Sequence, residues 1–137
     1  MNKKFFLTFV LIPLAFVVIA NCEQSTNFAK KHFTKEYISD GQNYWALIDN
    51  DQIAEFTTTF FGGSTYRISS GTGQQGENLI FRIFDEEKNL LFTNQDYANS
   101  AYWDFQIENT VTCTIEAQLD KTKQASGCAV LMIGFKQ

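Results

Sequence analysis

This sequence has one histidine, one proline and three cysteines, and each scarcity closes a route. With His32 alone, a histidine-based zinc site needs carboxylates or cysteines converging from elsewhere. A Ser/His/Asp or Cys/His triad would rest on that same residue, and no nucleophile elbow accompanies it. On the lysine-rich side of an N-terminal helix, His32 reads as a solvated surface residue. The proline, Pro13, falls inside an apolar run and leaves the rest of the chain free of that punctuation. Basic residues are also few. The chain carries 11 Lys and Arg against 15 Asp and Glu, for a net charge of −4. The arginines are Arg67 and Arg82, and past the first residues no basic cluster exceeds Lys30-Lys31. Phosphate backbones need a positive stripe, so nucleic acid is excluded as a partner.

The amino-terminal end is well supplied with apolar residues. Lys3 and Lys4 form a basic head, residues 5–20 form an apolar run broken at Thr8 and Pro13, and the chain turns polar at Glu23. That pattern is a secretory signal peptide over residues 1–21, too short for a spanning helix. It predicts an exported protein, periplasmic or on the outer membrane, otherwise secreted. Ile19-Ala20-Asn21-Cys22 resembles the lipobox of bacterial lipoproteins, whose cysteine receives the lipid; Asn21 departs from the small residue usual before it. The competing cut is after Ala20. Cysteine arithmetic favours the lipobox. In an oxidising compartment Cys113 and Cys128 are expected to pair, which leaves Cys22 as the odd thiol and as the attachment point of a membrane anchor. A lipoprotein cysteine carries several acyl chains, enough for stable attachment.

The exported remainder is the size of one domain. Residues 22–27 read as a tether and 28–137 as a single domain, with a helical lead-in over 28–50 and strands over 52–137. Phe28, Phe33, Tyr37, Ile38, Trp45, Ala46 and Leu47 recur near helical spacing. From Gln52 the period becomes two. Val111, Cys113, Ile115, Ala117 and Leu119 alternate with polar residues, the cleanest such signal in the chain. Residues 128–135 are apolar on both faces and predict a covered central strand. About seven strands at short spacing predict a mainly β fold, an antiparallel β-sandwich of jelly-roll or Greek-key type with a short N-terminal helical segment.

The acidic turn in Leu79-Ile-Phe-Arg-Ile-Phe-Asp-Glu-Glu-Lys-Asn-Leu-Leu-Phe, followed by a returning strand, resembles an element of bacterial pre-peptidase C-terminal domains and related jelly-roll sandwiches. Thr110-Val-Thr-Cys-Thr-Ile-Glu looks like a later strand of the same domains. Lys88 stands where that turn usually has glycine. The chain is also similar to small exported bacterial proteins without assigned activity. The resemblance covers residues 55–135 and implies a sandwich that binds, with no catalytic residues to carry over.

Other motifs have plain readings. Gly71-Thr-Gly-Gln-Gln-Gly76 matches GxGxxG, but a strand follows where dinucleotide binding requires a helix, so it reads as an inter-strand loop. Asp49-Asn50-Asp51 and Asp85-Glu86-Glu87 read as solvated turns, without the ligand spacing of a calcium loop. No metal or cofactor is expected.

The aromatic residues carry the functional expectation. Tyr97, Tyr102, Trp103, Tyr44 and Trp45 fit the core pattern less well than the phenylalanines. Such rings suit stacking on a glycan or gripping an envelope protein. The sequence thus predicts a non-enzymatic exported binding module that presents the 94–103 and 71–78 loops. The alternative is an accessory subunit that docks on a partner through its N-terminal helix.

Overall fold

A computed structural model describes residues 15–73 and 77–136, with side chains from Cys22 onward. Residues 1–14 of the expected leader, and 74–76 of the glycine loop, lie outside the described residues. In chain order the elements are α1 (Ala15–Lys30), β1 (Ile38–Asp49), β2 (Ala54–Phe60), β3 (Ser64–Gly71), β4 (Leu79–Phe84), β5 (Leu90–Thr93), a short 3-10 helix (Asn94–Tyr97), β6 (Tyr102–Ile107), β7 (Val111–Leu119) and β8 (Ser126–Lys136).

The strands form two four-stranded sheets, β1-β8-β3-β6 and β2-β7-β4-β5. All pairings are antiparallel, and the first strand pairs with the last, the second with the seventh, the third with the sixth and the fourth with the fifth. That wrapped pairing is the jelly roll, so the expected fold class holds. Inward-facing residues of both sheets make the core, among them Ile68, Phe81, Ile115, Leu119, Leu131 and Ile133, each almost fully buried. The alternation read in 111–119 is the inner face of β7. The two-faced run becomes β8, with Ala129, Leu131 and Ile133 turned into the sandwich and Cys128, Val130 and Met132 turned outward under α1.

Three expectations are corrected. The helical lead-in over 28–50 is not helical beyond Lys30, and residues 38–49 are strand β1. A bulge between Ser39 and Asn43 explains the misleading spacing. Gly41 takes a φ of +82° there, and the added residues break the period of two. Residues 22–27 are no tether but the middle of α1. The third correction concerns the cysteines. Cys22 is bonded to Cys128, and Cys113 is a buried free thiol. Cys113 faces the core from β7, whereas Cys128 lies on the outer face of the other sheet. In a jelly roll β7 and β8 are consecutive but not paired, so the expected Cys113–Cys128 bridge has no geometry to form. The Cys22 sulfur that lipidation would use is occupied by the disulfide.

Helix α1 lies across β8 and β3. The Ser25 hydroxyl donates to the Cys128 carbonyl at 2.7 Å, and Ser69 Oγ donates to the Ala29 carbonyl at 2.7 Å. Gly71 lets the two backbones meet, because a Cβ there would collide with the Ser25 carbonyl. Past the helix, the Phe33 ring rests against Gly134. Arg67 on β3 then clamps the connecting segment. Its guanidinium lies between the rings of Tyr37 and Tyr102, at 4.4 Å and 4.7 Å. It donates to both carboxylate oxygens of Asp104, at 2.7 Å and 2.9 Å, and to the His32 carbonyl at 2.6 Å. A cation held between two rings and a bidentate carboxylate is a strong local fixing point.

His32 is therefore no solvated surface residue. Its ring stacks on Tyr102 at 4.9 Å and meets Phe28 edge-on. Burial, then the charges of Arg67 and Lys31, hold its pKa below the ordinary value. Asp104 is held below the usual carboxylate range, chiefly by Arg67.

Cys22→Ser should destabilise by about 4–5 kcal/mol, the chain-entropy value for a loop of roughly 100 residues, given a sequence separation of 106. Thermal melts should keep their sensitivity to reductant in Cys113→Ser and lose it in Cys22→Ser; a Cys113–Cys128 peptide in a non-reducing digest would contradict the pairing. Because the folded chain resists protonating His32, the unfolded chain takes up that proton first. Stability should then fall as pH drops below about 6.5, the ordinary histidine value. His32→Gln should flatten this limb of the pH–Tm curve and leave intact the separate acid limb, where Asp104 protonates below the usual carboxylate range.

Candidate functional site

The five aromatic residues singled out in the sequence do not converge. Tyr97 and Trp103 come together at 4.2 Å between ring centroids, with Phe92 against both. Tyr97 keeps half its surface exposed, while Trp103 turns inward and packs on the core. Tyr102 belongs to the Arg67 clamp on the outer face of its sheet. Tyr44 faces inward from β1 onto Phe56, at 5.3 Å. Trp45, its neighbour, points outward and is 60% exposed.

The expected 94–103 binding loop is built as a structural corner. Asn94 is fully buried: its side chain accepts from the Phe81 amide at 2.8 Å and donates to the carbonyls of Leu79 at 2.8 Å and Ser100 at 3.1 Å. Asn99 reaches the Asp120 carboxylate at 2.9 Å. Ala98 and Asn99 both adopt left-handed backbone, which completes the turn into β6. The corner leaves Tyr97 as its exposed ring.

A wide concavity lies elsewhere, where β1 and β2 form one open edge of the sandwich. It is a cleft of 670 Å³ lined by Asp40, Gln42, Thr57, Thr58, Thr59, Phe61, Ser64, Tyr66, Ile133 and Phe135. The β1 bulge sets its upper lip. There the Asp40 carboxylate accepts from the Gln42 amide at 2.8 Å, and the Tyr44 hydroxyl donates to the Gln42 side-chain oxygen. Burial pushes the Asp40 carboxyl up from its ordinary value, against the lowering effect of the Gln42 amide. The β-branched run 57–59 forms the opposite lip, with Thr57 and Thr59 exposed and the Thr59 hydroxyl 2.9 Å from that of Thr112. At the end of β2, Phe61 is 62% exposed, and its amide donates to the Tyr66 hydroxyl at 2.9 Å.

The cleft thus offers one partly desolvated carboxylate, an amide, a row of hydroxyls and an exposed ring. That set can accept and donate hydrogen bonds and stack on a flat apolar surface. The sequence pattern places Thr57-Thr58-Thr59 and Phe61 in a strand ending at Gly62-Gly63, and Asp40 within the helical lead-in, and singles out none of them as a site residue. The signal available was the turn at Gly62-Gly63, which leaves Phe61 at a strand end with little to cover it.

No group of three or more His, Cys, Asp or Glu side chains suited to a metal occurs among the described residues. Asp49-Asn50-Asp51 is the turn joining β1 to β2, with Asn50 in left-handed backbone and Asp51 paired to Lys121. Within the described residues, no helix is long and apolar enough to cross a membrane.

No family model matches the chain, and no curated protein sequence matches it. Nothing therefore ties it to the pre-peptidase C-terminal family beyond the sandwich that this resemblance implied. Among solved structures, the chain is similar to Aeromonas hydrophila PliG, a periplasmic lysozyme inhibitor of g-type lysozyme, with a TM-score of 0.54 and 12% sequence identity. The match covers 77% of this chain and 92% of that one. At this identity the likeness establishes a shared β-rich fold.

Proposed function

We propose that this chain is an exported, non-enzymatic binding module of the bacterial cell envelope, and that a protein partner docks in the β1–β2 cleft. The observation that carries this reading is the cleft itself: 670 Å³ at an open sandwich edge, with Phe61 exposed beside hydroxyls and one carboxylate. An exposed ring among hydrogen-bonding groups suits an interface anchor. A periplasmic inhibitor protein is built on the same fold, and the partner class this suggests is a g-type lysozyme. The acidic surplus of the chain suits a partner with a basic face. A glycan is the other ligand class for such a cleft. The accessory-subunit reading loses support, because α1 lies on its own sandwich instead of presenting a free face.

Export is supported by the leader pattern and by a disulfide that suits an oxidising compartment. Cleavage after Ala20 would leave Cys22 near the mature terminus and still able to reach Cys128. A diacylglyceryl thioether on Cys22 would exclude that bond, so we place the disulfide form free in the periplasm. Intact mass of the native protein should show no acyl chain and the loss of two hydrogens; an acylated Cys22 with Cys128 free would overturn this.

For function, oxidised protein titrated into g-type lysozyme acting on peptidoglycan should remove activity stoichiometrically. Phe61→Ala should weaken the complex by about tenfold or more, with an unchanged melt. Saturable binding on a glycan array without lysozyme binding would transfer the cleft to a sugar. Binding to neither would sink the assignment of the cleft.

A further inference from the structure

The opposite edge of the sandwich is open as well, and its chemistry differs. β5 and β6 are the edge strands of their sheets and share no hydrogen-bonded ladder. Between them lies a crevice of 310 Å³ that runs into the main core, with Ile83 and Phe92 on one wall and Phe105 and Ile107 on the other. Phe60, Val111 and Cys113 also line it. Leu91, half-exposed, stands at the rim beside the equally exposed Leu90.

We propose that this crevice is a binding site for a small, neutral aliphatic molecule. The proposal is independent of the reading of the β1–β2 cleft. The polar lining residues are Asp104 and Gln106, and the Asp104 carboxylate is already matched by Arg67. Water in such a space finds its polar partners along β6, whereas an alkyl chain would cover the apolar wall of Ile83, Phe92, Phe105 and Val111 that is otherwise wetted. The volume sits at the small end of ligand pockets, about 300–1,000 Å³, so a short chain fits better than a whole lipid. Charge sets the head group. The crevice lining contains no cation, and Asp85 and Glu86 lie close enough that their charges act on Cys113, adding to burial in raising its pKa. A carboxylate or phosphate head would meet this negative field unpaired, and a hydroxyl head would not. As an edge strand, β6 also offers backbone groups on its unpaired side to such a hydroxyl.

Cys113 supplies the reporter, since it is buried in the crevice and free of the disulfide. Alkylation of the oxidised protein by iodoacetamide should be slowed saturably by decan-1-ol, about tenfold near saturation, and far less by decanoate at the same concentration. Val111→Phe, which fills the crevice, should abolish the protection. If that variant does not fold, Leu91→Asp at the exposed rim carries the same expectation. No protection of the wild-type protein by decan-1-ol, or protection unchanged in a folded variant, would overturn the site. Equal protection by decanoate would overturn the neutral assignment.

Discussion

Strand β8 is apolar on both faces, and most of the structure answers to that. One face, Ala129, Leu131 and Ile133, belongs to the sandwich core; the other, Cys128, Val130 and Met132, would meet water without a cover. A strand buried on both sides is ordinarily a feature of sheets with helices packed over them. Here α1 is the cover, and a disulfide with two serine hydroxyl bonds holds it in place. Because β8 sits between β1 and β3, fixing it fixes one sheet. The last strand can occupy that centre because it pairs with the first, and the sheets then wrap as a jelly roll.

How much of this was legible in the sequence depended on whether the signal was local. The alternation over 111–119 reports β7 directly, since side chains there face core and solvent in turn. The two-faced run reports β8 for the same reason. β1 was misread because its bulge inserts residues into the period of two, and Trp45, Ala46 and Leu47 then mimic a helical stripe. Cysteine pairing failed for a non-local reason. Adjacency in sequence suggested adjacency in space, yet β7 and β8 lie in different sheets, and Cys22 reaches Cys128 from the far end of the chain. The leader pattern overlapping α1 hid the covering helix as well.

The polar residues that fix the loops were still less legible. Asn94 and Gln124 read as ordinary loop residues, but both are buried and saturated with hydrogen bonds. Gln124 accepts from Asn78 at 3.0 Å and donates to the Thr72 and Ser126 carbonyls, at 3.1 Å and 2.9 Å. Each replaces backbone partners that a turn cannot supply for itself. Lys88 is the converse case. The resemblance to jelly-roll domains implies glycine at its position, and its φ of +64° shows left-handed backbone there. The Asp85 carboxylate accepts both the backbone and side-chain amides of Asn89, so the turn is held by its acid and does not need glycine.

A two-sheet sandwich has two open edges, and in this chain they have diverged. The β1–β2 edge carries the bulge, which lifts Asp40 and Gln42 out of the ladder and lines the gap with hydroxyls from β2. The β5–β6 edge ends in a strand of only four residues, Leu90–Thr93, too short to close over the aromatic packing of Phe92 and Phe105 behind it. Length and register thus produce two openings from the same wrapped topology, one bordered by threonines and a carboxylate and the other by Leu91, Phe92, Phe105 and Val111. The Arg67 clamp stands beside the apolar side, since Asp104 both pairs with Arg67 and borders the crevice. Because Arg67 and Asp104 face each other on the β3–β6 ladder, that pair belongs to the sheet itself, and the His32 carbonyl and Tyr37 ring are fastened onto it.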